Sequence, residues 1–145
     1  GLDLKSIQRA QAEKKPILEL ESSLEQIKLL TNMSPQLQEA FLENAIYTLE
    51  QGRTSEQVTG VVNAWQLGDA NMMVEIAEEV SRGGRMVDQL NDILLNQRHP
   101  AMLEKTEGYL ASSQTHFVAV GALHLVGKLG LIELLKARGY VLKQL

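Results

Sequence analysis

The sequence predicts a helix-dominated α/β protein with about seven helices and a small sheet of about three short strands. Apolar residues recur every three or four positions through most of residues 22–112, which is typical of amphipathic helices. Two segments break this pattern: residues 17–21 alternate in polarity, and residues 117–120 form a continuous apolar run. A turn, a helix and a last apolar segment follow that run, so a βαβ unit is predicted over about 115–145.

Residues that start and stop helices divide the helical region. The first helix is expected to end before Lys14-Lys15-Pro16, because the residue that precedes a proline is disfavoured in the α region. Ser22 or Ser23 can cap the second helix, and Ser34 followed by Pro35 is a typical start for the third. Further start and stop signals are Gly52, Gly68, Asp69, Gly83-Gly84 and Gly139.

Three strands make a thin sheet. Residues 17–21, 117–120 and 140–142 are the predicted strands, and the second is apolar enough to be covered on both faces. A strand buried in this way needs neighbours, so residues 1–145 are interpreted as a single domain that is the incomplete half of a larger α/β domain. An incomplete sheet exposes a pairing edge, which predicts a homodimer formed through that edge.

Composition excludes several classes of function. The chain has 145 residues and no cysteine, which rules out disulfides, thiolate metal sites and thiol nucleophiles. A net charge of −4 and an aromatic content of 4% argue against a nucleic-acid-binding protein. No segment approaches the ~20 apolar residues of a membrane-spanning helix, and the first residues do not form a signal peptide.

His124 and Glu21 are the candidate site residues at the predicted sheet edge. His124 follows residues 117–120 directly and precedes a helix, and sites in open α/β sheets form at that edge. If the strands are parallel, Glu21 lies at the same edge, where an imidazole and a carboxylate suit a divalent ion. The alternatives are a turn histidine with satisfied hydrogen bonds and a solvated glutamate.

The remaining candidates have weaker patterns. Arg98 ends a helix, where it can either stabilise the helix dipole or clamp an anion. Gly127 and Gly130 near a helix start are only a faint phosphate-loop signal. His99 and His116 lack the spacing of a two-histidine zinc motif.

Two blocks of the sequence resemble the TraB/GumN family, which includes PrgY-like proteins and is related to the Tiki metalloproteases. The C-terminal block is similar to that family's C-terminal signature, and the opening block is similar to its middle segment. The resemblance covers essentially the whole chain. The C-terminal block comprises residues 121–127, 130–132 and 134–140, and the opening block comprises residues 1–3, 9–10, 15–18, 20–22 and 25–26.

The resemblance implies a catalytic domain for metal-dependent peptide hydrolysis, built from two Gly-x-x-His motifs, an acidic residue and an arginine. The second motif matches Gly121 to His124, the acidic residue matches Glu21, and the arginine matches Arg98. Arg98 lies in Gln97-Arg98-His99, where the family more often has Glu-Arg-Asn. The first motif is not in this chain. His124 and Glu21 are therefore expected to bind manganese, cobalt or zinc weakly or not at all, and the isolated chain is expected to be inactive.

Two functions remain open at this point. The chain is either the C-terminal half of a metal-dependent, peptidase-like hydrolase, or a non-catalytic helical module that captures a peptide or partner protein on residues 34–112. The hydrolase interpretation predicts that Glu21, Arg98 and His124 converge on one place. Family members often carry export signals, which favours a periplasmic or cell-envelope location for the parent protein.

Overall fold

Helices make up all of the regular structure that is described. The computed structural model describes residues 1–52, 54–80 and 85–145. Within those ranges there is no β-strand, so the predicted three-strand sheet and its βαβ unit are wrong. The predicted break at Gly83-Gly84 lies outside the described residues. The helices are α1 (Leu2–Ala12), α2 (Ser23–Thr31), α3 (Pro35–Glu50), α4 (Thr54–Leu67), α5 (Ala70–Val80), α6 (Arg85–Leu94), α7 (His99–Leu110) and α8 (Leu131–Ala137), with 3-10 turns at Asn96–Arg98 and Ala122–His124.

The predicted helix caps are confirmed where the structure describes them. Ser22 forms a capping box with Glu25: the Glu25 backbone N–H donates to Ser22 Oγ at 3.2 Å, and the Ser22 N–H donates to Glu25 Oε2 at 2.6 Å. The Ser34 hydroxyl accepts from the Leu37 N–H at 3.3 Å, and Asp69 Oδ1 accepts from the Met72 N–H at 2.9 Å. These local signals fix helix starts without help from tertiary structure.

The three predicted strands are extended or turn segments, and no described segment pairs with any of them as a strand. A strand needs a neighbour for its N–H and C=O groups, and no backbone hydrogen bond joins residues 17–21, 117–120 and 140–142 to one another in the described part of the chain. The Tyr140 N–H instead donates back to the Leu135 carbonyl at 3.1 Å, and Gly139 has φ +91°, which is a Schellman end to α8. Phe117 is 81% exposed, so the expected burial of residues 117–120 on both faces is also wrong.

Two small apolar clusters hold the helices together. One packs α7 against α8, and the other packs the start of α3 against α6. The first cluster lies directly beside the turn that carries His124, because α8 follows that turn. The first contains Met102, Leu103, Leu131 and Leu135, and the second contains Met33, Leu37 and Leu90.

Much apolar helix surface stays uncovered. The chain has an accessible surface of 10871 Å², against about 7,400 Å² for a compact protein of its mass. This exposed apolar surface belongs to helices and to the segments between them. The described residues contain no sheet edge through which the predicted homodimer could form. None of the described helices is both long enough and apolar enough to cross a membrane.

Candidate functional site

An ion pair joins the segment before α2 to the turn before α7. Arg98 Nε donates to Glu21 Oε1 at 2.8 Å, and Arg98 Nη2 donates to Glu21 Oε2. The same guanidinium donates through Nη1 to the Leu94 carbonyl at 2.7 Å. The two charged side chains are only 17% and 12% exposed. Hydrogen bonds from Arg98 lower the pKa of the Glu21 carboxyl, and burial opposes that shift.

Lys105 fixes the chain next to this ion pair. Its Nζ donates to the Leu20 carbonyl at 2.8 Å and to the Glu19 carbonyl at 3.3 Å. An unpaired extended segment has free carbonyls, and an ammonium from α7 satisfies two of them. Lys105 thereby helps to place Glu21, which follows Leu20 in the chain.

Two buried histidine rings meet beside the ion pair. His99 Nε2 lies 3.0 Å from His124 Nδ1, and the rings are edge to face with centroids 5.1 Å apart. His99 is the first residue of α7, directly after Arg98. His124 ends a 3-10 turn whose closing hydrogen bond runs from its own N–H to the Gly121 carbonyl at 2.9 Å. Both residues are buried.

The surroundings of the two rings favour neutral imidazole. Burial lowers the pKa of His124 to about 4, with the nearby charges of Arg98 and His99 adding to the effect and Glu21 opposing it. Burial also lowers the pKa of His99, and the backbone of Leu129 opposes that shift. At neutral pH both rings are therefore uncharged, the form in which an imidazole binds a metal or accepts a proton.

These shifts predict that the protein loses stability in mild acid. Because the pKa of His124 falls from 6.5 when unfolded to about 4 when folded, the unfolded chain takes up the proton first. The stabilisation is present above pH 6.5 and is lost as the pH falls towards 4, by roughly 3 kcal/mol in total. Urea unfolding at pH 7.5 and pH 5 measures the loss. We expect His124→Gln to remove most of this pH dependence and His116→Gln to retain it; a His124→Gln protein with an unchanged pH dependence would contradict the assignment.

The structure brings Glu21, Arg98 and His124 into one region. Glu21 and Arg98 are in direct contact, and the charges of both affect the pKa of His124. The residue that follows Arg98, His99, contacts the ring of His124. His116 lies apart from this group and stacks on Tyr109 with the ring centroids 5.0 Å apart. The predicted site residues thus form one cluster, which has His99 as an additional member.

The expected pair of metal ligands is largely occupied by other contacts. Both carboxylate oxygens of Glu21 accept from Arg98, and His124 Nδ1 faces His99. Across residues 1–52, 54–80 and 85–145, no group of three or more histidine, aspartate or glutamate side chains is placed to hold a metal ion. Among the residues that the structure describes, none forms a hydrogen bond with His124 Nε2, so this nitrogen is the available ligand atom of the pair.

Comparison with known proteins places the chain in a family. The model of the TraB/PrgY/gumN family matches residues 1–144. The chain belongs to the TraB/PrgY/gumN family. It is 28% identical over 136 residues to "Uncharacterized protein YbaP" of Escherichia coli (strain K12), and to the protein of the same name in Shigella flexneri. Each alignment covers 94% of this chain and 48% of the relative, so the chain spans about half the length of the curated relatives it matches. No solved structure matches it.

His99 and Lys105 are the residues of this cluster that the sequence analysis did not propose as site residues. His99 had one available signal: it occupies the position after Arg98 where family members more often have asparagine. Lys105 had none, because its partners are backbone carbonyls more than 80 positions away. Gly130 has a packing role, since a Cβ there would lie 2.7 Å from the Leu125 carbonyl oxygen.

Proposed function

We propose that this chain supplies His124, Glu21 and Arg98 to the hydrolytic centre of a metal-dependent peptidase of the TraB/PrgY/gumN family. One observation carries the proposal: a buried, neutral imidazole lies beside a half-buried carboxylate–guanidinium pair, although the three residues are far apart in the sequence. Removing such groups from water is costly, and titratable groups with perturbed pKa values are concentrated at functional sites.

Each residue has a distinct role in this proposal. His124 Nε2 is the nitrogen whose lone pair binds the metal or accepts a proton from water. Glu21 holds the guanidinium of Arg98 by two hydrogen bonds, and the Leu94 carbonyl accepts a third. A guanidinium has five N–H groups, so two remain to bind a peptide carboxylate or an oxyanion. The metal, when bound, would polarise the peptide carbonyl and activate water.

The remaining metal ligands belong, in this proposal, to parts of the protein outside this sequence. The matched relatives are about twice as long, and the family resemblance implies a first Gly-x-x-His motif that precedes this segment. Glu21 stays paired to Arg98 and is at most a secondary ligand. The isolated chain should therefore bind divalent ions weakly, through His124.

Calorimetric titration with Mn²⁺, Co²⁺ and Zn²⁺ tests this proposal. We expect a weak binding heat for the chain at pH 7.5 that disappears in His124→Ala and persists in His116→Ala, the matched control at a histidine outside the site. Unchanged binding in His124→Ala would refute His124 as the ligand. Tight binding that survives in both variants would place the ion elsewhere.

A groove between α3 and α6 favours the second candidate, a module that captures a peptide. The groove has a volume of about 550 Å³, and it combines the carboxylates of Glu39 and Glu43 with the apolar bodies of Tyr47 and Met86. Such a groove suits a basic, partly apolar peptide. If peptide capture is the function, a fluorescent lysine-rich peptide should bind at least ten-fold more weakly to Glu39→Lys/Glu43→Lys than to the unmodified chain, and His124→Ala should bind it normally. Equal binding by all three proteins would eliminate the groove.

A further inference from the structure

The contact between His99 and His124 determines which nitrogen of His124 has a free lone pair. A neutral imidazole carries one proton, so in a 3.0 Å contact between His99 Nε2 and His124 Nδ1 one ring donates and the other accepts. If His99 donates, His124 carries its own proton on Nε2, and that nitrogen can neither bind a metal nor accept a proton. If His124 donates, its Nε2 keeps a free lone pair.

The surroundings of His99 favour the second arrangement. When His124 donates, His99 accepts at Nε2 and must carry its own proton on Nδ1. His99 Nδ1 is fully buried and has no hydrogen-bond partner within normal limits. The backbone of Leu129 favours a proton on His99, and no backbone N–H donates to the Leu129 carbonyl among the described residues. Because His99 Nε2 already faces His124, Nδ1 is the ring nitrogen left to donate to that carbonyl.

We infer that His99 is a positioning residue that fixes His124 in the Nδ1–H tautomer and so keeps His124 Nε2 free to bind a metal or accept a proton. The inference rests on the proposed function of His124, and it assigns a role to a residue that the sequence did not single out. In metal sites a second group commonly fixes the tautomer and ring orientation of a ligand histidine in this way. Here an imidazole occupies the place usually taken by a carboxylate or a carbonyl.

The helix framework makes His99 suited to this role. His99 is 2% exposed and stands at the first position of α7, where Pro100 follows it and Met102 and Leu103 anchor the same turn in the core. Its neighbour Arg98 is held by Glu21. The backbone on both sides of His99 is therefore held in place, and the ring that it carries contacts His124, which lies on a short 3-10 turn.

Long-range ¹⁵N–¹H spectra of the histidine rings in the whole chain test the inference at pH 7.5, with no metal or substrate present. We expect His124 to show a protonated Nδ1 and an unprotonated Nε2, unlike the ordinary preference of free imidazole for a proton on Nε2. In His99→Leu, His124 should revert to that ordinary preference. In His99→Gln, whose side-chain oxygen can take the place of Nε2, the Nδ1–H form should be retained. A proton on His124 Nε2 in the unmodified chain, or an unchanged tautomer in His99→Leu, would overturn the inference.

A second arm separates this inference from the proposed function. If Zn²⁺ alone is added, the ¹⁵N chemical shift of His124 Nε2 should change. The ¹⁵N chemical shifts of both His99 ring nitrogens should stay close to their values without Zn²⁺. Large shifts of His99 Nε2 and His124 Nδ1 together would show that the two rings share the ion, which overturns the positioning role. Absence of any shift would count against the proposed metal function, whereas the tautomer result would still stand. If His99→Leu does not fold, the unmodified chain and His99→Gln decide the question.

Discussion

Replacing Arg98 with alanine is expected to lower the free energy of unfolding by about 2 kcal/mol. The substitution leaves the Glu21 carboxylate, which is 12% exposed in the intact pair, without its partner, and the Leu94 carbonyl also loses a donor. Removing one partner of a half-buried pair costs more than the pair itself contributes, because the remaining charge stays partly desolvated. Urea unfolding followed by circular dichroism at pH 7.5 measures the loss.

Two further variants make this prediction specific. The double variant Glu21→Gln/Arg98→Ala should be more stable than Arg98→Ala alone, because it removes the unpaired charge. Lys136→Ala breaks an exposed pair with Glu133, whose side chains are 52% and 51% exposed, and should change stability by less than about 0.5 kcal/mol. If Arg98→Ala and Lys136→Ala lower the free energy of unfolding by the same amount, the Glu21–Arg98 pair is as well solvated as the exposed Lys136–Glu133 pair, which contradicts the structure.

The loss caused by Arg98→Ala should also depend on pH. Arg98 lowers the pKa of Glu21 in the folded protein below the pKa of the same carboxyl in the unfolded chain. The pair therefore stabilises the protein fully at pH values above the unfolded pKa. This stabilisation is lost as the pH falls through the folded pKa. The difference between Arg98→Ala and the unmodified chain should therefore be smaller at pH 3.5 than at pH 7.5. A difference that grows in acid would contradict this direction.

Gly130→Ala is expected to destabilise the protein by about 3 kcal/mol and to disturb His124. Gly130 is buried, and a Cβ there would overlap the Val126 carbonyl oxygen and lie 2.7 Å from the Leu125 carbonyl oxygen. Both obstacles are backbone atoms of the turn that follows His124, so the turn itself must move. We expect the altered position of His124 to appear as a changed His99–His124 contact in the ¹⁵N spectra.

A second glycine gives a control of opposite sign. Gly108 lies inside α7, and a Cβ there would meet nothing within 4 Å. Gly108→Ala should therefore raise the free energy of unfolding by about 0.5–1 kcal/mol, because alanine favours the helix. A Gly130→Ala protein as stable as the unmodified chain would show that the turn has more room than the structure indicates.

The helices were predictable because their signals are local. Ser34 with Pro35 and Gly139 each act within a few residues, and each appears in the structure as the sequence indicates. Of the two serines that the sequence offered as caps of the second helix, Ser22 is the one that caps it. The strands were not predictable in this way, because a run such as residues 117–120 becomes a strand only when another backbone pairs with it. Its apolar character is real, but the described part of the chain offers it no partner.

The site was predictable only in part. A predicted sheet edge pointed to His124 and Glu21, but the described residues contain no sheet, so that argument was wrong. Family resemblance pointed to Glu21, Arg98 and His124, and the structure brings the three into one region; their roles in hydrolysis and metal binding stay predictions. Spacing rules could not find His99, because its contact with His124 bridges 25 positions through tertiary structure. The same holds for the Glu21–Arg98 pair, which had no signal in either local sequence.

Peptide hydrolysis by a longer protein tests the central proposal most directly. The substrate is a fluorogenic peptide library with Mn²⁺, Co²⁺ or Zn²⁺, and the enzyme is a protein of the relatives' full length that contains this sequence. We expect metal-dependent cleavage that falls at least about 100-fold in His124→Ala, is retained in His116→Ala, and is absent from the 145-residue chain alone. Cleavage that is unaffected by His124→Ala, or metal-dependent cleavage by the isolated chain, would contradict the proposal that His124 serves a hydrolytic centre completed outside this sequence.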